Sequence, residues 1–451
     1  MVSEVEPESK DLIMLNFLFT KTPLFFLTQS LWRDEAFSYF MAKKSIIEII
    51  LLTAKDFNPP LYYFILHFWM KIFGSSEIAM RSLSMVFFWG IIYVSFLFLK
   101  DVFKMKQYKV IFYTVLMMMN PILLFYTFEA RMYTMFAFLA TLSFYAFFKK
   151  DKRLYLMSTV AGLFTHYFMI LVVLGQLLFL FINKKNFEYF NKKIIYVALL
   201  IFTPWLLFFI TQNGFPSSFW IAKPQLKDSL GLFSIIYTGN DGPFYLGELI
   251  PKIKNNLIYL SILLTFIFAL GANFYFRKFH KKDRETSLLL FIWGVGIPLI
   301  VGIVSFVKPI YFPRYLIFAT VGFVLLNVFI LEKLNFFLKF ILIIFLLNLT
   351  VNYQKIQIEY RKKADLRSVF REIQFIANKN DVVYTDDLDY FTAQYYLNKN
   401  GVFIYGKSYQ DIPLFNGKAL INETNVALNL PLYPQKAFII SGGKYTISAM
   451  Y

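Results

Sequence analysis

The sequence of 451 residues contains no cysteine and little charge. The absence of cysteine excludes a disulfide framework, a thiolate metal site and a cysteine nucleophile. Only 16% of the residues are charged, against about a quarter in typical soluble proteins, and histidine occurs only 3 times. A soluble protein with 58% hydrophobic residues and a mean hydropathy of +0.55 would need unusually apolar surfaces. The composition therefore favours a membrane protein with many spanning helices.

Long apolar segments bounded by lysine-rich loops match the roughly 20 residues that an α-helix needs to cross a bilayer. The first segment is the weakest, because Lys21 and Pro23 interrupt it. The stretch 154–182 fits two short helices that meet near residues 165–167 better than one long helix. We predict a polytopic α-helical protein with about 11 spanning helices, near residues 12–31, 82–99, 110–127, 132–148, 154–166, 168–182, 194–210, 256–276, 287–306, 315–331 and 337–352.

Positive charge is in excess, with 46 lysines and arginines against 28 aspartates and glutamates and a net charge of +18. In a soluble protein this excess would indicate nucleic-acid binding. Here the basic residues lie between apolar segments, where they set topology and contact anionic lipid headgroups. We therefore expect the lipid bilayer, and no nucleic acid, as a partner. The positive-inside rule predicts a cytoplasmic N-terminus and an extracytoplasmic C-terminus.

This topology divides the chain into a membrane domain, residues 1–352, and a C-terminal domain, residues 353–451. Two long extracytoplasmic loops are predicted within the membrane domain, at residues 33–81 and 211–255. The first contains an apolar amphipathic stretch at 61–73, which is short for a full span and is expected to lie in the membrane interface.

The second long loop is rich in glycine and proline and contains a predicted interfacial helix at residues 226–237. The composition changes again after Val351. Residues 361–378 have helical periodicity, and short strands are predicted at 382–384, 402–404 and 437–440. We therefore predict a small extracytoplasmic α/β domain at the C-terminus.

Ionisable side chains beside the membrane are candidates for function. Asp34 and Glu35 directly follow the first helix, where a general base or a metal ligand competes with a simple helix cap. In that simpler interpretation Asp34 is the N-cap and Arg33 is its partner. Asp56 and Asn58 precede a diproline that starts a helix, and the alternative there is a structural turn.

Further candidates lie at the outer ends of later helices. Glu129 and Arg131 fit either contact with a phosphate or lipid headgroup, or an interfacial snorkelling pair. His166 is either functional or a neutral histidine bonded to a neighbouring helix. Arg314 is suited to bidentate phosphate binding or to snorkelling. All of these side chains fall on one membrane face in the predicted topology, and acids beside phosphate-binding bases suit a phosphorylated lipid substrate.

An ordered series of short motifs extends over nearly the whole chain. The motifs are LWRDEAFS (31–38), DFNPPLYY (56–63), HFW (67–69), FGSSE (73–77), RSLS (81–84), EARMY (129–133), THYF (165–168), PRYL (313–316) and DLR (365–367) ahead of DVV (381–383). In order and spacing they resemble type-C glycosyltransferases, specifically the bacterial protein O-mannosyltransferase and aminoarabinose transferase branch. One departure is Asn58, where the family usually has histidine, because an amide cannot titrate.

The resemblance implies an enzyme that transfers a sugar, with inversion, from a polyprenyl-phosphate donor to an acceptor hydroxyl. It implies that Asp34 is the general base and that Arg131, His166 and Arg314 bind the departing phosphate. The full implied substrate-binding set is Glu35, Asp56, Asn58, Glu129, Arg131, Tyr133, His166, Tyr167 and Arg314. A divalent cation is a possible cofactor, with Asp34, Glu35 and Asp56 as its candidate ligands.

The same resemblance implies the plasma membrane of a bacterium, with the active site on the extracytoplasmic side. A protein, a glycolipid and a cell-wall polymer all remain open as acceptors. The main alternative is a transporter or flippase of lipid-linked sugars, which would share the helices and basic loops but more often shows internal symmetry. A lipid-binding scaffold is a third interpretation, and it predicts that Asp34 is replaceable.

Overall fold

The computed structural model describes residues 10–183, 193–213, 221–225, 231–240, 251–397 and 401–451. Most of this described part is helical. Its α-helices are α1 (Lys10–Lys21), α2 (Phe25–Thr28), α3 (Arg33–Lys43), α4 (Ile46–Thr53), α5 (Leu61–Phe73), α6 (Glu77–Leu97), α7 (Gln107–Met118), α8 (Pro121–Thr127), α9 (Tyr133–Lys149), α10 (Lys152–Leu163), α11 (Met169–Ile182), α12 (Lys193–Asn213), α13 (Leu232–Thr238), α14 (Pro251–Arg277), α15 (Lys281–Phe291), α16 (Ile297–Ser305), α17 (Ile317–Leu331), α18 (Phe336–Tyr360), α19 (Leu366–Ile376) and α20 (Tyr390–Leu397).

Within the described residues, 6 helical stretches are long and apolar enough to cross a membrane, or up to 7 if the bent pair α7 and α8 is one span. The stretches are Glu77–Val102, Lys193–Gln212, Pro251–Arg277, Lys281–Ser305, Pro313–Leu331 and Phe336–Tyr360. The protein is therefore a multi-pass membrane protein. The number of 11 spanning helices stays a prediction, because α9, α10 and α11 lie at predicted positions but have 17, 12 and 14 residues.

Prolines divide two segments that were each predicted to be one helix. The prediction of a single helix at 12–31 was wrong, because α1 ends at Lys21 and α2 begins at Phe25. Pro23 lies at this break, where it has no amide hydrogen to continue the helix. The segment 110–127 is likewise split before Pro121, with a bend of 65° between α7 and α8. The break predicted near residues 165–167 is confirmed between α10 and α11.

Short helices occupy both long loops. The predicted amphipathic helix at 61–73 is confirmed as α5, and its residues Phe68, Ile72 and Phe73 are exposed. In the second loop α13 matches the end of the predicted helix at 226–237, while residues 226–230 lie outside the described residues.

The core of the membrane domain is centred on α17, in which every residue is buried. The neighbouring stretch Ile292–Gly296 is a π-helical turn between α15 and α16. Trp293 in this turn donates from Nε1 to the Phe318 carbonyl at 2.8 Å. A Cβ atom at Gly322 would lie 2.5 Å from the Trp293 ring, so only glycine permits this close approach. The tight packing fixes α17, and therefore Arg314 just before it, relative to the other helices.

Residues 366–451, called the C-terminal unit here, contain a five-stranded sheet. The strands are β1 (Val382–Thr385), β2 (Val402–Tyr405), β3 (Val426–Ala427), β4 (Ala437–Ser441) and β5 (Lys444–Ser448). Their order is β3-β2-β1-β4-β5, parallel except for the antiparallel pair β4 and β5. The three predicted strands coincide with β1, β2 and β4. The domain boundary at residue 353 and the extracytoplasmic position stay predictions.

The C-terminal unit packs directly on the membrane helices. The Tyr395 hydroxyl donates to the Ser75 carbonyl at 2.8 Å, and the Tyr396 hydroxyl donates to Glu77 at 2.8 Å. Arg367 also forms an ion pair with Glu77 at 2.8 Å. These contacts hold the sheet and its loops over the N-terminal end of α6, next to α3.

Candidate active site

A cavity of about 390 Å³ lies between the start of α3, the turns at the ends of the membrane helices, and the C-terminal unit. Eight of the ten predicted site residues line this cavity, and Glu35 and Glu129 do not. The lining residues are Arg33, Asp34, Phe37, Asp56, Phe57, Asn58, Arg131, Tyr133, His166, Tyr167, Phe168, Lys308, Pro309, Ile310, Arg314, Tyr315, Phe391, Phe415, Asn416 and Gly417.

Asp34 is the second residue of α3, two residues after the cap residue Trp32. The alternative in which Asp34 is the N-cap was therefore wrong in position. Its carboxylate instead accepts from two arginines, Arg33 Nε at 3.2 Å and Arg314 Nη1 at 3.2 Å. Burial alone would raise the pKa of Asp34, but the charges of Arg131, Arg314 and Arg33 outweigh it and hold that pKa well below its usual value. Asp34 is therefore ionised at neutral pH.

Arg131 lies in the turn between α8 and α9 and is fixed by α3. Its Nη1 donates to the Asp34 carbonyl and to Ser38 Oγ, both at 3.1 Å. Its guanidinium carbon lies 5.8 Å from the centre of the Tyr133 ring. Within the described residues, the buried Nε of Arg131 has no hydrogen-bond partner. Arg131 thus retains donor capacity at a fixed position beside the cavity.

Arg314 lies in the turn Pro313–Leu316 that leads into α17. Besides its ion pair with Asp34, its guanidinium is surrounded by aromatic rings. Such rings attract a cation without removing its charge. The ring centres lie 4.8–5.9 Å from the guanidinium carbon and belong to Phe312, Tyr133, Tyr315 and Trp32.

A second carboxyl group, that of Asp56, faces the same cavity from the turn before α5. It is only 5% exposed, and Asn58 Nδ2 donates to its Oδ2 at 3.3 Å. Burial raises the pKa of Asp56 to about 6, although the hydrogen bond from Asn58 opposes this rise. Asn58 is therefore a direct hydrogen-bond partner of Asp56. The turn itself is anchored where Leu61 N donates to the Phe164 carbonyl at 3.0 Å.

His166 lies in the turn between α10 and α11. Its Nδ1 accepts from the Phe168 amide at 3.1 Å, so the proton of the neutral ring is on Nε2. Burial, together with the charges of Arg131 and Arg314, lowers the pKa of His166 to about 3. The ring stacks on Phe136 with its centre 4.7 Å away. His166 is therefore a neutral hydrogen-bond donor at neutral pH.

Glu35 points away from the cavity and is fully buried beside Arg81 of α6. All five donor hydrogens of the Arg81 guanidinium have partners, which explains how it remains buried. The partners are both oxygens of Glu35 at 2.8 Å and the carbonyls of Leu27, Gln29 and Ser30 at 2.7–3.2 Å. Arg81 thus ties the turn after α2 to α3 and α6.

Two more charged side chains complete this group. Lys363 Nζ lies 3.0 Å from Glu35 Oε2 and 3.6 Å from Glu129 Oε1. The Ala130 amide also donates to Glu35 Oε1 at 3.0 Å. We call Glu35, Arg81, Glu129 and Lys363 the buried charge cluster. Glu35 and Glu129 were predicted to contact the substrate. The structure corrects this prediction, because neither side chain lines the cavity.

Sequence reasoning missed the structural roles of Arg81 and Lys363. An arginine inside the otherwise apolar helix α6 was an available signal, since a charge at such a position needs a partner. Lys363 carries no comparable signal, because Lys362 beside it looks identical in sequence. The cavity wall contributed by the C-terminal unit, Phe391 and residues 415–417, was also missed.

The three candidate metal ligands do not come together in one cluster. Among the described residues, no three histidine, aspartate or glutamate side chains lie close enough together to hold an ion. The Asp34 carboxylate instead contacts two arginines, and Glu35 belongs to the buried charge cluster. The charges of the cavity itself favour an anion, since Arg33, Arg131, Lys308 and Arg314 outnumber its two carboxyl groups.

Comparisons with known proteins agree with this architecture. Residues 58–208 match the family model described as dolichyl-phosphate-mannose-protein mannosyltransferase. The fold is similar to two crystal structures of ArnT from Cupriavidus metallidurans, one in the apo state with a TM-score of 0.64 and one bound to undecaprenyl phosphate with a TM-score of 0.62. Each is 11% identical and covers 95% of this chain and 91% of that chain. No curated protein sequence matches significantly. The resemblance to type-C glycosyltransferases is confirmed by the family model and the fold.

Proposed function

We propose that the protein is a membrane glycosyltransferase that moves a sugar from a polyprenyl-phosphate donor to an acceptor hydroxyl. The observation that carries this proposal is an ionised Asp34, held between arginines, in a cavity with an excess of positive charge. Two comparisons support it. The matched family is named for a dolichyl-phosphate sugar, and one similar ArnT structure contains undecaprenyl phosphate. Both are polyprenyl phosphates.

The donor phosphate binds to Arg131 and Arg314 in this proposal. Negative charge grows on the phosphate as its bond to the sugar breaks, and fixed cations stabilise that charge most in the transition state. The protonated Nε2 of His166 adds a neutral donor beside them. Arg314 is suited to this role because its aromatic surroundings hold the guanidinium in place.

Asp34 acts as the general base. The acceptor oxygen forms a bond to the anomeric carbon while the bond from that carbon to the phosphate oxygen breaks and the phosphate keeps the electron pair. The acceptor proton passes to the Asp34 carboxylate. Attack opposite the leaving phosphate inverts the anomeric configuration. Because Arg314 contacts Asp34 in the free protein, its engagement by the phosphate would raise the pKa of Asp34 and make it a better base.

Asp56 and Asn58 orient sugar or acceptor hydroxyls from the turn before α5, which lines the same cavity. Tyr133 and Tyr167 complete that binding surface. The prenyl tail lies along apolar grooves between the membrane helices. We place the reaction on the extracytoplasmic face of a bacterial plasma membrane, with a protein, glycolipid or cell-wall polymer as the acceptor.

The test is a transfer assay with the purified protein in nanodiscs. Radiolabelled polyprenyl-phosphate sugars are supplied one at a time with native membrane extract as the acceptor. The proposal expects label from one donor to move to acceptor material and undecaprenyl phosphate to be released. Lack of transfer from every donor, with the folded protein present, would contradict it.

The transporter alternative is separated by a second measurement. A flippase predicts that lipid-linked sugar crosses the bilayer of proteoliposomes while its bond to phosphate stays intact. Such movement without transfer would favour that alternative. A transferase needs a carboxylate base beside cations that bind the leaving phosphate, as in this cavity, and a transporter does not require that base. We therefore do not favour the transporter.

A further inference from the structure

A loop of the C-terminal unit forms one wall of the cavity. Phe415, Asn416 and Gly417 line the cavity beside Arg33 and Asp34, although nearly 400 residues of chain separate the loop from them. The Asn416 side chain is buried, with 5% of the residue exposed. The C-terminal unit therefore contributes directly to the surroundings of the proposed base.

Asn416 connects this loop to Asp34 through a continuous chain of hydrogen bonds. Arg33 donates from Nη1 to Asn416 Oδ1 at 2.9 Å and from Nε to Asp34 Oδ1 at 3.2 Å. Asn416 in turn donates from Nδ2 to Asp387 Oδ2 at 2.8 Å. Asp387 is anchored at its other oxygen by Lys407 Nζ at 2.6 Å. We call Asp387, Asn416 and Arg33 the relay.

The chemistry of the relay explains why an amide stands between its charged members. A guanidinium only donates hydrogen bonds and a carboxylate only accepts them. The residue between Arg33 and Asp387 must therefore present an acceptor on one side and a donor on the other. A side chain amide does both, whereas a carboxylate of the same shape would face Asp387 with a like charge.

Gly417 fixes the position of the loop. Its φ is +80°, in the left-handed region that favours glycine. A Cβ atom at this position would lie 2.6 Å from Phe391 and 2.8 Å from Phe37. Phe391 belongs to α20 and Phe37 to α3, so the loop is held between the C-terminal unit and the helix that carries Asp34.

We propose that Asn416 is a positioning residue of the transfer reaction, because it holds Arg33 in place and thereby orients the Asp34 carboxylate toward the acceptor hydroxyl. The orientation of the base then depends on the docked C-terminal unit. This inference rests on the proposed function. Correct orientation of Asp34 then requires the C-terminal unit in addition to the membrane domain.

The test compares steady-state kinetics of three variants of the full chain in nanodiscs. Asn416→Leu removes both hydrogen bonds of the amide, and kcat should fall about 10- to 100-fold, as expected when a reacting group is misplaced. The donor KM should change less than threefold. Asn416→Asp keeps an acceptor for Arg33 but faces Asp387 with a like charge, so it should also be impaired.

The third variant exchanges the two side chains. In N416D/D387N, residue 416 still accepts from Arg33 and the amide at 387 donates to it, so kcat should return to within about threefold of the wild type. Tyr395→Phe is the matched control, because it removes a hydrogen bond that docks the C-terminal unit outside the relay. This control should leave kcat near the wild-type value.

The outcomes separate the inference from the proposed function. No transfer by the wild type would refute the function itself. If the wild type transfers sugar and Asn416→Leu keeps the same kcat, the positioning role is wrong. A rise in acceptor KM at constant kcat would make Asn416 a binding residue instead, and failure of the double variant to regain kcat in a folded protein would also overturn the relay.

Discussion

Asp34 and Glu35 are neighbours in sequence and face two different environments. The side chain of Asp34 is 14% exposed and faces a cavity, where Arg33 and Arg314 contact it. The side chain of Glu35 is 0% exposed and is enclosed by Arg81 and Lys363. Helical geometry produces this difference, because consecutive residues project about 100° apart around a helix.

The cavity and the buried charge cluster differ in their balance of cations and carboxyl groups, and this balance distinguishes a candidate binding site from a structural cluster. In the buried charge cluster, two cations face two carboxyl groups and Arg81 has a partner for every donor. In the cavity, cations exceed carboxyl groups and there is space for a ligand. Charge beside a membrane is thus not by itself a sign of catalysis. An excess of one sign next to an open volume is the more informative feature.

The largest expected effect is on stability, from Arg81→Leu. This change leaves Glu35 buried without its main partner, and breaking a buried ion pair in this way costs about 3–5 kcal/mol. Thermal unfolding of the detergent-solubilised protein should show a strongly lowered Tm. Lys71→Leu, at an exposed position on α5, is the control and should change Tm little. An unchanged Tm for Arg81→Leu would remove the structural role assigned to the cluster.

Asp34→Asn should have its main effect on activity. Loss of the general base is expected to lower kcat by about 10²–10⁴-fold, while undecaprenyl phosphate binding is retained and Tm falls only in part, because Arg314 loses an ion-pair partner. Glu35→Gln is the matched variant on the neighbouring residue, and it should lower Tm. The comparison between the two regions fails if Glu35→Gln abolishes transfer at normal Tm while Asp34→Asn remains active.

Asp56→Asn should stabilise the protein at alkaline pH. Since burial raises the pKa of Asp56 from 3.8 to about 6, the folded state binds this proton more tightly than the unfolded state. Its contribution to stability is therefore greatest at low pH and declines as the pH rises from about 4 to 6. The asparagine variant avoids that loss, by about 1–3 kcal/mol at pH 8. Tm measured at pH 8 and pH 4 should show a gain at pH 8 only, and an equal gain at both would contradict the assignment.

Arg314→Lys is expected to have the smallest effect. The charge remains but the planar, bidentate guanidinium is lost, so affinity for undecaprenyl phosphate should fall about tenfold. Direct binding in nanodiscs measures this. Arg284→Lys, on an exposed part of α15, is the control and should bind like the wild type. An equal loss in both variants would indicate a general charge effect instead of recognition in the cavity.

Local patterns predicted much of the fold. The helix α5 has its predicted bounds, and β1, β2 and β4 lie at the predicted strands, because amphipathic periodicity and short apolar runs are local signals. The first segment was mispredicted because hydropathy averaged over a window gives Pro23 too little weight. Pairing within the sheet and the small strand β3 depend on contacts between distant residues, which one sequence does not reveal.

The sequence also predicted most residues of the candidate site. Motifs and topology brought Asp34, Asp56, Arg131, His166 and Arg314 to one face, and the cavity contains all five. The resemblance implied that Asp34 is the base, but residue type and position alone do not separate it from Glu35, since both are carboxylates at the same helix terminus. That distinction comes from tertiary packing against α6. Asn416 was missed for the same reason, because only docking of the C-terminal unit places it beside Arg33.

The most direct test of the central claim is an experimental structure of the protein in nanodiscs with undecaprenyl phosphate. The account predicts phosphate density in the cavity, within hydrogen-bond distance of Arg131 and Arg314, with Arg314 turned from Asp34 toward the phosphate. Phosphate bound instead at another surface, with the Arg314–Asp34 ion pair intact, would contradict the assignment of this cavity as the transfer site.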